Sequence, residues 1–253
     1  MEGDHMYFEE CQLHSKVLGR SMNFNVYGHA GRPILVFPAS GGSHNEYGDF
    51  GMIAACRPWI DSGQVRFFTP DSFDNEAFEA NEKSPHDRAL AHMAYERFIV
   101  EELVPLIYDK TQWAGGLITT GCSMGAYHAM NFGLKFPEIF DTVISLSGLY
   151  DLRFVVGDYG DDELVYYNSP TDYLWNLADP WFFEKYRQNT YIICTGLGPW
   201  EEVDETRKLE AVFNAKQIPG WFDYWGADVS HDWVWWKKQM PYYLSKLSET
   251  GQI

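Results

Sequence analysis

Read for hydrophobic and polar positions alone, the chain falls into short apolar runs separated by amphipathic stretches. The runs at 34–37, 65–68, 117–120, 142–146 and 191–195 are short and mostly apolar, the pattern of strands buried in a sheet. Residues 85–110 read as a long amphipathic helix. Tyr95, Phe98, Ile99, Leu103, Leu106 and Ile107 recur at helical spacing, with Glu96, Arg97, Glu101 and Glu102 on the other face. A mixed helical segment is expected at 45–60, a helix at 126–136 ending before Pro137, and a charged helix at 204–217. Strand 221–225 and loop 226–230 then lead to a terminal helix opened by His231-Asp232-Trp233. At the start, partial alternation over 7–14 and 16–27 predicts two antiparallel strands, and 28–33 a turn. Strands alternating with helices indicate an α/β fold with a mostly parallel sheet, read as one domain over 1–253.

The rhythm stops at 147–189, a stretch dense in aromatic and acidic residues, which predicts an insertion at about 148–189. It reads either as a lid forming one wall of a substrate pocket or as a packed surface insertion. Within it Asp158-Tyr159-Gly160-Asp161-Asp162-Glu163 holds many carboxylates. Their spacing does not match a calcium loop, so a solvated acidic loop is expected and no metal.

At the boundary of strand 117–120 and helix 126–136 stands Gly121-Cys122-Ser123-Met124-Gly125. A serine between two small residues on a sharp strand-to-helix turn is the arrangement of a nucleophile elbow. A serine hydroxyl needs a base to take its proton, and in this fold the partners follow as acid and then histidine, on loops at the sheet's carboxyl edge. His231, after the last strand, is the expected base. His128 lies five residues past the serine, well over a helical turn away, and is a poor candidate. His44, near the loop after the first parallel strand, could line the pocket. Glu201 after the 191–195 strand is the expected acid, with Glu202, Asp204 and Asp151 as alternatives. The oxyanion donors are expected at the backbone N–H of Met124 and, from loop 38–44, at Ser40 with Gly41 as neighbour. The glycine pair there could also be only a turn. Cys122 reads as a buried strand residue, not a rival nucleophile.

Composition narrows the partners. A net charge of −17 argues against nucleic acid and anionic membrane surfaces. With 45% hydrophobic and 22% charged residues the chain is expected to be globular, and no run reaches membrane-spanning length. Four scattered cysteines without a Cys-x-x-Cys pair read as reduced. Together with an N-terminus lacking an apolar leader, this predicts a cytoplasmic protein. Oligomeric state leaves no trace.

These residues resemble a known group, the putative-esterase branch of the α/β hydrolases, which includes esterase D and S-formylglutathione hydrolase. The resemblance rests on Gly121 to Ala126, the glycine turn before Glu201, and His231-Asp232-Trp233 with Trp236. It runs in element order from about residue 16 onward. Two features depart from the group: Pro38-Ala39-Ser40 stands where a His-Gly or Asp-Gly pair is usual, and the acid is Glu, not the commoner Asp. The resemblance implies hydrolysis of a small-molecule ester through an acyl-enzyme, without cofactor or metal. A thioesterase or acyltransferase would use the same residues, and a non-catalytic binding protein could share the fold.

Overall fold

The apolar runs form one eight-stranded sheet in the computed structural model, which describes residues 6–253. Residues 1–5, where no secretory leader is expected, lie outside the described residues. The strands are β1 (Phe8–Ser15), β2 (Arg20–Tyr27), β3 (Arg32–Phe37), β4 (Val65–Pro70), β5 (Leu117–Cys122), β6 (Phe140–Leu146), β7 (Thr190–Thr195) and β8 (Trp221–Tyr224). Their order is β1-β2-β4-β3-β5-β6-β7-β8. β1–β2 and β2–β4 pair antiparallel, and every pairing from β4 to β8 is parallel.

Alternation along the inner strands assigns side chains to two cores. Leu35 and Phe37 of β3, with Tyr191 and Ile193 of β7, join one buried cluster. That face is covered by α4 (Pro85–Arg97), α5 (Val104–Thr111), α6 (Met124–Lys135) and α11 (Val203–Lys216). Ile34 and Val36, with Ile192 and Cys194, join the other, under α1 (Glu46–Asp49), α2 (Met52–Ala55), α3 (Arg57–Asp61) and α12 (Trp233–Glu249). Among the described residues no helix is long and apolar enough to cross a membrane.

Two expectations need revision. Strand 16–27 begins only at Arg20, because residues 16–19 make the hairpin turn, with Gly19 at φ 64°. The 85–110 helix is not continuous: Phe98–Leu103 is π-helical between α4 and α5. Pro105 lacks an N–H and its ring crowds the carbonyl four residues back, so the widened turn absorbs the break in the ladder. The insertion forms α7 (Arg153–Val156), α8 (Glu163–Tyr166), α9 (Pro170–Asn176) and α10 (Pro180–Gln188). It packs Leu152, Val156, Tyr159 and Val165 on Phe78, Ala89, Met124 and Tyr127, and Glu205 of α11 ties down its start by accepting the Tyr150 and Asp151 N–H groups.

Candidate active site

Ser123 joins β5 to α6 with φ 57° and ψ −121°. A non-glycine residue held there costs about 1–3 kcal/mol, so its surroundings must enforce it. They do so through close backbone approach. A Cβ on Gly121 would stand 2.3 Å from the Gly125 carbonyl carbon, and one on Gly125 would stand 2.1 Å from the Phe37 carbonyl oxygen. Both glycines therefore let α6 begin against the ends of β3 and β5. The Ser123 N–H is anchored on Leu146 O at 2.9 Å.

Ser123 and His231 line one cleft of about 620 Å³. Glu201 lies beside it with a fully buried side chain. His231 Nδ1 faces Glu201 Oε2 at 3.3 Å, and the His231 backbone N–H is held by Pro199 O. The remaining acceptor positions of Glu201 are filled. Ser147 Oγ–H donates to Oε1 at 2.8 Å, the Gly196 N–H to Oε1 at 3.0 Å, and Thr195 Oγ1–H to Oε2 at 3.3 Å. Trp236 Nε1–H donates in turn to Ser147 Oγ at 2.9 Å and sets its ring edge-on to His231. Ser147, at the end of β6, also has a positive φ, 55°. Ser123 and Ser147 are thus strained at the carboxyl ends of adjacent strands.

The loop after β3 makes the other wall. Gly41, at φ 67°, closes a turn in which the Gly42 N–H bonds Ala39 O at 2.9 Å. The Ala39 N–H donates to Glu46 Oε2 at 2.9 Å, and the Gly41 N–H to Glu79 Oε2 at 3.3 Å. Among the described residues the Ser40 N–H has no protein partner. Met124 opens α6, where the first N–H groups have no partner inside the helix. The glycine pair is therefore a turn, and the turn leaves the expected Ser40 donor free beside the serine's cleft.

Other sequence candidates are placed elsewhere. Glu202 precedes α11, and Asp204 pairs with Arg207. Asp151 pairs with Arg153 and lies 3.6 Å from Lys208. His44 does not line the Ser123 cleft; its Nδ1 and N–H both meet Asp71. His128 is buried against Asp74. Burial pushes the Cys122 thiol well up, as expected of a core residue. The far side of the cleft is made by Phe50 and Trp233, stacked at 4.7 Å, and by Trp236 rather than by the insertion. A separate cavity of about 630 Å³ lies at the other end of α6, walled by Phe136, Tyr173, Phe182 and Tyr186, away from Ser123. Among the described residues no three His, Cys, Asp or Glu side chains gather in a way that could hold a metal.

Two residues escaped the sequence reading. In the sequence Ser147 is only the start of the insertion, and Glu46 only part of a mixed helical segment. Neither lies in a motif. What marks them is contact made once β3, β5, β6 and β7 end side by side.

A model of the family described as "Putative esterase" matches residues 15–247. Comparison with curated protein sequences gives no match. Among solved structures, the chain is similar to a ferulic acid esterase at 18% identity and a TM-score of 0.74, covering 95% of this chain and 96% of that one. It is also similar to an S-formylglutathione hydrolase from Agrobacterium tumefaciens at 16% identity and 0.75, covering 96% and 95%. A third similar structure is the fluorophosphonate-binding serine hydrolase F of Staphylococcus aureus, at 13% identity and 0.70, covering 96% and 98%. With the sheet order and the family match over nearly the whole chain, the protein belongs to the putative esterase family of α/β hydrolases.

Proposed function

We propose that the protein hydrolyses a small-molecule carboxylic ester through an acyl-enzyme on Ser123. Ser123 Oγ attacks the ester carbonyl while His231 Nε2 takes its proton. Glu201 holds the Nδ1–H tautomer and stabilises the imidazolium without itself accepting the proton. The N–H groups of Met124 and Ser40 bond the oxyanion of the tetrahedral intermediate. His231 then returns the proton to the leaving alcohol, and a water activated by the same histidine releases the acid. Catalytic hydrogen bonds in ligand-free sites are often long and tighten on substrate, which accommodates the 3.3 Å His231–Glu201 contact.

The observation that carries this reading is the buried Glu201 on His231, sharing a cleft with a serine held in a strained elbow. Phe50 and Trp233 suit an acyl or alcohol group with flat apolar surface. Four unpaired cysteines fit a reducing compartment, and we assign the enzyme to the cytoplasm. Hydrolysis of p-nitrophenyl esters of graded chain length tests the reading. Wild type turns over at least one ester, and Ser123→Ala lowers kcat about a thousandfold or more. Equal turnover by Ser123→Ala would sink it.

A further inference from the structure

Four consecutive amides, from Ala39 to Gly42, differ in what they bond. The Ala39 N–H goes to Glu46, the Gly41 N–H to Glu79, and the Gly42 N–H to Ala39 O; Ser40 alone is left over. An oxyanion donor must be held ready, since a donor that has to reorganise during the reaction loses much of its value. What holds Ser40 in place is thus whatever fixes its neighbours.

Glu46 does most of that. Its side chain is buried at the start of α1 and lines the Ser123 cleft. Oε2 accepts the Ala39 N–H at 2.9 Å, and the Glu46 N–H bonds Ser43 O at 3.1 Å. A Cβ on Gly42 would stand 2.2 Å from Oε1, so the turn's backbone rests on the carboxyl itself. The carboxyl thus has one oxygen on the Ala39 N–H and the other against Gly42. Glu79, by contrast, meets the loop at its exposed rim through one 3.3 Å bond.

We propose that Glu46 is a positioning residue that aims the Ser40 N–H at the oxyanion. The inference rests on the proposed acyl-enzyme reading. It assigns Glu46 no contact with substrate: the side chain acts through the loop. Burial pushes the Glu46 carboxyl up to about 7, so glutamine, with a carbonyl acceptor and no charge, mimics its protonated form closely. Nothing in the reaction consumes or moves a Glu46 proton.

The test measures kcat, KM and inhibition by an alkyl trifluoromethyl ketone, whose serine adduct carries the oxyanion. Glu46→Ala is expected to lower kcat about tenfold or more, less than outright loss of a donor, with KM within about twofold. Ketone affinity falls by the same factor as kcat. Glu46→Gln restores both to within about threefold of wild type, because it still accepts the Ala39 N–H. Gly42→Ala, whose Cβ would stand 2.2 Å from Glu46 Oε1 and 2.9 Å from the Ala39 carbonyl oxygen, displaces the carboxyl and the turn together, is expected to reproduce the Glu46→Ala pattern and serves if that variant does not fold.

Glu46→Ala with wild-type kcat overturns the proposal. So does lost kcat with ketone affinity unchanged, or Glu46→Gln as impaired as Glu46→Ala. If Glu46→Ala does not fold, wild-type kinetics in Gly42→Ala overturn it. A wild type that hydrolyses no ester removes the underlying reading instead, a result distinct from active wild type with unaffected variants.

Discussion

Among the described residues two histidine–carboxylate pairs invite comparison, and the tighter, more buried one is not the one we propose as catalytic. His128 on α6 meets both oxygens of Asp74 at 2.9 Å, with both side chains almost wholly buried. His231 meets Glu201 once, at 3.3 Å, with its ring about a quarter exposed. The difference lies at the other ring nitrogen. His231 borders the cleft that holds Ser123. His128 Nδ1 is sealed without a partner, and His92 stacks on its ring at 5.3 Å. Five residues along α6 turn a side chain about 140° from the serine's direction. A pair in the core fixes structure; the same pair at a cleft, with the proposed nucleophile in that cleft, is placed to move a proton.

The largest expected effect separates the carboxylates. Glu201→Gln should lower kcat about 10³–10⁴-fold, as expected when an orienting acid is lost and the wrong tautomer results. Asp74→Asn, measured in the same ester assay, should leave kcat within about threefold. Equal losses would erase the distinction.

Stability should show the reverse ranking. His128→Ala strands a buried carboxylate and is expected to cost about 3–5 kcal/mol in urea denaturation. His231→Ala, at the cleft, should cost under about 1 kcal/mol.

A third prediction uses pH. Burial, with His128 and Lys135 nearby, holds His92 well below its ordinary 6.5. The unfolded chain therefore takes up a proton below pH 6.5 that the folded chain refuses. This contribution to stability is intact above 6.5 and falls as pH drops, by about 1.4 kcal/mol per unit once well below it. His92→Leu should flatten the slope between pH 6 and 5 by about that amount, read from urea midpoints. An unchanged slope would show that His92 protonates as readily folded as unfolded.

The smallest effect concerns Ser147. Ser147→Ala removes one of the bonds on Glu201 and should lower kcat about fivefold, near 1 kcal/mol, with KM unchanged. Its failure would mean that the other donors suffice to orient the acid.

Much of this is legible in the sequence. Apolar runs such as Ile34–Phe37 mark strands because a two-sided sheet demands them, and Ser123 and His231 lie where the strand order puts them at one edge. Glu201 could be ranked above Glu202 and Asp204 but not separated from them. That took its burial under His231, which depends on how the Gly196–Trp200 turn folds back. Helical spacing over 85–110 masked the Pro105 break, because hydrophobic period is insensitive to a lost N–H. Lid and packed insertion stayed open as readings of 147–189 for a related reason. Aromatic content alone does not say which surface an insertion covers, and here it covers α4, α6 and α11. Glu46 and Ser147 were invisible because their roles exist only where several strand ends converge.

The most direct test of the comparison is the rate of fluorophosphonate adduct formation, with the modified residue located by peptide mass spectrometry. Four proteins are compared: wild type, Ser123→Ala, His231→Asn, and a double variant with Asp74→Asn and His128→Asn. Wild type and the double variant are expected to label at similar rates on Ser123. Ser123→Ala should not label, and His231→Asn should label at least about a hundredfold more slowly. An adduct on another residue, or full-rate labelling of His231→Asn with loss in the folded double variant, would contradict the comparison.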